Sequence, residues 1–224
     1  MTLKLSLKKM VITATLLAVA IVIDLLVAII PGLNLELPFG GKIFNLGLLP
    51  LLLIGLFVGL KYGLIGGLMF ALFKFSFDYI LFLSILKELL ESFTGTPWTT
   101  FHIIGLIFLD YLIPFTAFGL SGLFHKDNLK TAKNIVYAIL TTSGVWLLSG
   151  TFSGVILWGS SIKFAASSGE VNIATKIFGF ANDNLFIYSL FYNSIYVIST
   201  SVLIFFILLT SRKSLLAISD NILQ

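Results

Sequence analysis

Six times along this chain, apolar residues run on for about twenty positions with few charges among them, and no water-soluble core accommodates that pattern. The runs lie at about 9–30, 44–60, 62–82, 103–124, 134–158 and 186–210. At 1.5 Å per residue, about twenty helical residues cross the roughly 30 Å hydrocarbon layer of a bilayer. Inside that layer each backbone N–H and C=O must be satisfied within the segment, which selects helices. The chain therefore reads as an all-α integral membrane protein of six transmembrane helices, a single domain over residues 1–224. Only 11% of its residues are charged, less than half of the roughly 25% usual in a soluble domain.

The N-terminal stretch has the outline of a signal peptide, with Lys4, Lys8 and Lys9 ahead of an apolar run and Ala18-Val19-Ala20 behind it. The apolar character continues through Ile30, well past a signal-peptide core, so the stretch reads as the first span. Six spans put both termini on one side. The segments on that side hold Lys4, Lys8, Lys9, Lys61, Lys126, Lys130, Lys133, Arg212 and Lys213, nine of the 14 basic residues. By the positive-inside rule, that side is the cytoplasm. The loops at 31–43, 83–102 and 159–185 then gather on the outer face. Stretch 83–102 is expected to carry a short amphipathic helix.

Several chemistries are excluded at once. Without cysteine there is no disulfide or thiolate, and two histidines, His102 and His125, cannot build a His-rich metal cluster. A net charge of +4, dispersed along the chain, does not suggest nucleic acid as a partner. No phosphate-binding G-x-x-x-x-G-K-[ST] loop is present, so the chain has no ATPase of its own. Gly119-Leu120-Ser121-Gly122 matches the short motif of intramembrane serine proteases. Such an enzyme needs a histidine on a later span, and only His125, in a loop, follows. Close helix packing explains these small residues better.

Asp110 is the residue that most needs an explanation. It lies inside the apolar run Gly105 to Phe124 with no Lys or Arg within a helical turn. A carboxylate near membrane depth costs about 2.5–3.5 kcal/mol on insertion scales, so it faces a partner or a protein-lined cavity. Tyr111 stands beside it, Trp158 closes the fifth span, and Tyr188, Tyr192 and Asn193 open the sixth. An interfacial aromatic belt accounts for single rings, but not for Asp110 or Asn193. A carboxylate, an amide and several rings at one level suit a flat, partly cationic ligand, each ring contributing about 0.5–2 kcal/mol of cation–π attraction. Asp24, on the first span, reads as structural, paired with Lys42 or Lys74 or capping a polar network. An intramembrane enzyme using Asp110 or Asp24 would need a paired His or Lys, and a ligand-free scaffold would leave Asp110 unexplained.

Taken together, these residues resemble the substrate-binding S components of energy-coupling factor (ECF) vitamin transporters, most closely the thiamine-specific branch. The resemblance is carried by the six spans, by Leu60-Lys61-Tyr62-Gly63-Leu64-Ile65-Gly66-Gly67-Leu68, and by Phe108 to Leu112 running on to Gly119-Leu120-Ser121-Gly122-Leu123-Phe124. It implies that Asp110 and Tyr111 stand at the family's Glu-Tyr pair, Trp158 at its stacking tryptophan, and Tyr188 and Asn193 at its ligand-contacting Tyr and Asn. It further implies that Ala14 and Ala18, a small-xxx-small stripe on the first span, contact a membrane-embedded coupling subunit that works with two ATPase subunits. The implied function is high-affinity uptake of thiamine, or of a related cationic pyrimidine-containing vitamin, across the bacterial cytoplasmic membrane, with no cofactor. An S component for a different vitamin or precursor is the nearest alternative.

Three positions depart from that pattern. The family glutamate is an aspartate here, one methylene shorter. A binding-site histidine falls at Gly150, and a first-loop tryptophan has no counterpart among Phe39 to Phe44. Trp98 and His102, in the longer 83–102 loop, are expected to replace the missing ring and imidazole, with the loops at 31–43 and 83–102 forming a lid.

Overall fold

A computed structural model describes residues 2–30, 32, 34–80, 88, 91, 97–125 and 129–223. Among them the secondary structure is helical, apart from one isolated bridge between Glu36 and Lys42. The elements are α1 (Thr2–Ile29), α2 (Leu48–Val58), α3 (Leu60–Phe75, continued by a π-turn Ser76–Ile80), α4 (Thr100–Phe124), α5 (Ala132–Ile156), α6 (Gly159–Ser167), α7 (Ile173–Phe180) and α8 (Leu185–Leu223). Five stretches are long and apolar enough to cross a membrane: Ser6–Ile29, Leu60–Asp78, Thr100–Phe124, Ala132–Ile156 and Leu185–Ser219.

The second expected span, 44–60, differs. Its helix has only 11 residues, about 16 Å at 1.5 Å per residue and too short for a roughly 30 Å layer. All but Leu49 of α2 are buried, because the helix sits inside the bundle against α1, α3 and the end of α4. Residues 34–47 approach it as irregular chain, including Phe44 at φ 65°. Such backbone is tolerated at membrane depth only where protein surrounds it. The expected amphipathic helix of 83–102 falls largely outside the described residues.

Glycine lets α2, α3 and α4 meet backbone to backbone. A Cβ on Gly119 would lie 2.3 Å from the carbonyl carbon of Gly63, one on Gly122 2.3 Å from the amide nitrogen of Leu60, and one on Gly55 2.1 Å from Ser121 Oγ. Lipid supplies no hydrophobic force between helices, so this close approach, with its dispersion contacts, is what holds them. Ser121 Oγ donates to the carbonyls of Leu52 and Phe118, both at 2.8 Å. The protease-like motif is thus a packing element, with its hydroxyl already committed.

On the other side of the bundle, α5 and α8 pack along their length. The amphipathic pair α6–α7 folds back toward α8, where Phe178 meets Tyr188 edge to face with ring centres 5.6 Å apart. Asn172 caps α7 by accepting from the Thr175 amide at 3.0 Å.

Candidate functional site

The site begins with a local defect in α4. Pro114 has no N–H to give to the carbonyl of Asp110, one turn back. The helix widens just before it, and Ile113 N–H bonds instead to Phe108 O. This π-turn, Ile107–Leu112, carries Asp110 and Tyr111, in keeping with the frequent use of π-bulges at functional sites. Ser149 on α5 donates to Leu109 O at 2.6 Å and pins the turn from outside. A second π-turn, Ser76–Ile80 at the end of α3, carries Asp78; no proline or glycine stands behind that one.

From α8 come Tyr188, Tyr192 and Tyr196, four residues apart and so on one face. Trp146, Gly150 and Gly154 repeat the same spacing on α5. These faces, the two π-turns, Trp158 at the α5–α6 corner and the loop around Phe39 to Lys42 enclose a cavity of about 540 Å³. That size is within the ordinary range for small-molecule sites.

The loop is tied across the cavity mouth from both sides. Tyr192 Oη accepts from Phe39 N–H at 3.0 Å and donates to Gly40 O at 3.2 Å. Gly41, at φ 94°, lies so close to the Tyr196 ring that a Cβ would stand 2.4 Å from it. On the far side Lys42 Nζ reaches Asp24 Oδ1 of α1 at 3.4 Å.

Charge in the cavity wall is unevenly paired. Asp24, 2% exposed, takes Lys74 at 2.9 Å as well as Lys42. Lys74 also holds Asp78 at 3.0 Å, and Tyr111 Oη donates to the second oxygen of Asp78 at 3.1 Å. These two carboxylates and two ammoniums balance. Asp110 stands apart: it accepts from Trp158 Nε1 at 3.1 Å and, among the described residues, enters no ion pair. Asp110 therefore adds a carboxylate that the lysines of the wall do not pair, and the indole that binds it also lines the cavity.

Asn193 is held in a polar cluster. Its amide donates to Gly150 O at 3.2 Å and Ser189 O at 2.7 Å, and its Oδ1 accepts from Tyr196 Oη. Gly150 makes room for this: a Cβ there would be 2.6 Å from Asn193 Oδ1.

Five of the expected residues, Asp110, Tyr111, Trp158, Tyr188 and Asn193, meet in the cavity wall. Trp98 and His102 do not. Trp98 is buried behind Trp158, ring centres 5.6 Å apart. His102 Nδ1 accepts from Thr99 N–H at 3.2 Å and so caps α4. Neither lines the cavity: Trp98 packs against Trp158 and His102 caps the helix start. Phe39, rather than either of them, brings a ring from the loop to the cavity. Ala14 and Ala18 are exposed on α1. Asp24 forms both of the ion pairs considered for it. The sequence reading missed Asp78, Trp146 and Tyr196 as lining residues. The four-residue ladders at 146/150/154 and 188/192/196, and the i,i+4 pair Lys74–Asp78, were the available signals.

Comparison with known proteins adds a relationship. Residues 10–171 match the family model described as thiamine transporter protein (Thia_YuaJ). Asp110, Tyr111 and Trp158 fall within that stretch, and Tyr188 and Asn193 beyond it. The chain is 29% identical over 192 residues to the thiamine transporter ThiT of Bacillus subtilis (strain 168), covering 85% of this chain and 82% of that protein. No solved structure matches the chain.

Proposed function

The chain belongs to the thiamine transporter protein (Thia_YuaJ) family, and from that premise we propose that it is the thiamine-binding S component of an ECF-type ABC transporter. It is a multi-pass membrane protein and a transporter subunit rather than an enzyme. The observation that carries the substrate reading is Asp110, a carboxylate that enters no ion pair among the described residues, in a cavity wall rich in aromatic rings.

In this reading the cationic end of thiamine supplies the missing positive charge. Trp158 and Tyr111 give stacking and edge contacts, Tyr188 and Asn193 give hydrogen-bonding groups, and Trp98 keeps Trp158 in place. The loop through Phe39 to Lys42 closes over the ligand. Both termini lie in the cytoplasm, with α2 and the irregular chain before it making the sixth crossing. Ala14 and Ala18 face a membrane-embedded coupling subunit whose two ATPases supply the energy, in the cytoplasmic membrane of a bacterium.

Titration of the purified protein with thiamine, followed by tryptophan fluorescence, tests the substrate. Trp146 and Trp158 line the cavity, so saturable quenching is expected. A preparation free of bound vitamin, as judged by mass spectrometry, that shows no change on titration would refute the reading. For the partners, Ala14→Leu and Ala18→Leu should leave thiamine binding intact while abolishing uptake in cells; uptake at the wild-type rate would refute that surface.

A further inference from the structure

Asp78 is joined to Tyr111 in a way that simple charge neutralisation does not require. Its two oxygens have separate duties: Oδ1 takes the Lys74 ammonium at 3.0 Å, and Oδ2 takes the Tyr111 hydroxyl at 3.1 Å. Lys74 is itself anchored from the buried side by Asp24 at 2.9 Å. The carboxylate of Asp78 is 28% exposed, against 2% for that of Asp24, and it lines the cavity. A counter-ion for Lys74 alone requires neither a place in the cavity wall nor a second oxygen bonded to a phenol. The chain Asp24–Lys74–Asp78–Tyr111 therefore runs from the interior of the bundle to the ring that stands next to Asp110.

We infer that Asp78 is a positioning residue for Tyr111, and that through it the cavity distinguishes a cationic ligand from a neutral one of the same shape. This rests on the reading of the cavity as the thiamine site. The physical content is twofold. The Tyr111 proton is used by Asp78, so the phenol oxygen presents only lone pairs to a ligand and cannot donate to one. A phenol that donates to a carboxylate also has a more electron-rich ring, which strengthens attraction for a cation over its face. Ring contacts with Phe75 at 5.5 Å and Phe115 at 6.0 Å fix the ring plane, and the hydrogen bond fixes the hydroxyl. Asp78 and Asp110 each occupy a π-turn, on α3 and α4. One carboxylate would face the ligand's charge and the other would set the ring beside it.

The test uses the full chain purified in detergent and two probes: thiamine, and an uncharged isostere whose quaternary nitrogen is replaced by carbon. Asp78→Asn and Tyr111→Phe are each expected to weaken thiamine binding about five- to twentyfold. The double variant should be no more than about twofold worse than the weaker single one, as for residues acting through one contact. Binding of the isostere should change less than about twofold, and Asp78→Glu should recover most of the thiamine affinity. Multiplying effects in the double variant, or equal losses for both probes, would overturn the inference and leave Asp78 a structural counter-ion. If Asp78→Asn does not fold, Lys74→Gln combined with Asp78→Asn removes the pair as a unit, and the same difference between probes decides. Wild-type protein that binds neither probe would refute the thiamine reading and this inference with it. Wild-type binding with uncoupled variants refutes this inference alone.

Discussion

Replacing Asp110 by asparagine changes one charge and almost nothing else. The asparagine carbonyl can still accept from Trp158 Nε1, now 3.1 Å from Asp110 Oδ2, so the indole keeps its place. What is lost is attraction between the carboxylate and a bound cation. At about 5 Å and an effective dielectric of about 20, that attraction is roughly 3 kcal/mol. Asp110 is only half-buried, so about 2–3 kcal/mol is a reasonable range after solvent screening, or roughly a 30- to 150-fold rise in Kd. Calorimetric titration of wild type and Asp110→Asn with thiamine and its uncharged isostere measures this directly. Thiamine should lose affinity in that range, and the isostere should lose less than about threefold. The ligand-free variant should melt no lower than wild type, because a half-buried carboxylate without a cation is replaced by a neutral group. A Kd for thiamine within about threefold of wild type, or equal losses for both ligands, would refute the reasoning.

Asp24→Asn should behave in the opposite sense, lowering thermal stability by about 3–5 kcal/mol because Lys74 and Lys42 lose a buried partner; a melting curve like wild type would contradict it. Tyr192→Phe removes both hydrogen bonds that tie the loop to α8. It should raise the thiamine off-rate in stopped-flow displacement by about tenfold, and an unchanged off-rate would show that the loop is held otherwise. Trp98→Ala should weaken thiamine binding several-fold through loss of packing behind Trp158, whereas His102→Ala should affect helix stability and leave Kd within about twofold. The reverse pattern in titrations would refute these supporting roles.

The long helices were legible because an apolar run of twenty residues has few alternatives in structure. The short α2 was not, since Leu48–Val58 is apolar all round whether it faces lipid or protein. Hydropathy carries the same signal for both. Asp110 stood out as a charge without a local partner, and Trp158, Tyr188 and Asn193 were legible as polar or amphipathic groups at one level. Asp78 was hidden by its neighbour: an i,i+4 pair with Lys74 looks self-satisfied in sequence. Only the fold reveals that Tyr111, 33 positions away, completes it. Sequence position brings Trp98 to the same end of the molecule as Trp158 but does not say which of the two rings lines the cavity.

Helix α8 has 39 residues, about 58 Å of unbroken helix and nearly twice the thickness of the hydrocarbon layer. Its first three turns carry the tyrosine ladder, and the remainder runs to the opposite end of the molecule. A stiff rod fixed in this way is a lever. A tilt of about 10° around Tyr192 displaces Leu223, some 31 residues further on, by about 8 Å. Small rearrangements around a captured ligand would thus be magnified at the far end of α8, beyond Arg212 and Lys213, where they could be sensed without any change at the cavity mouth itself.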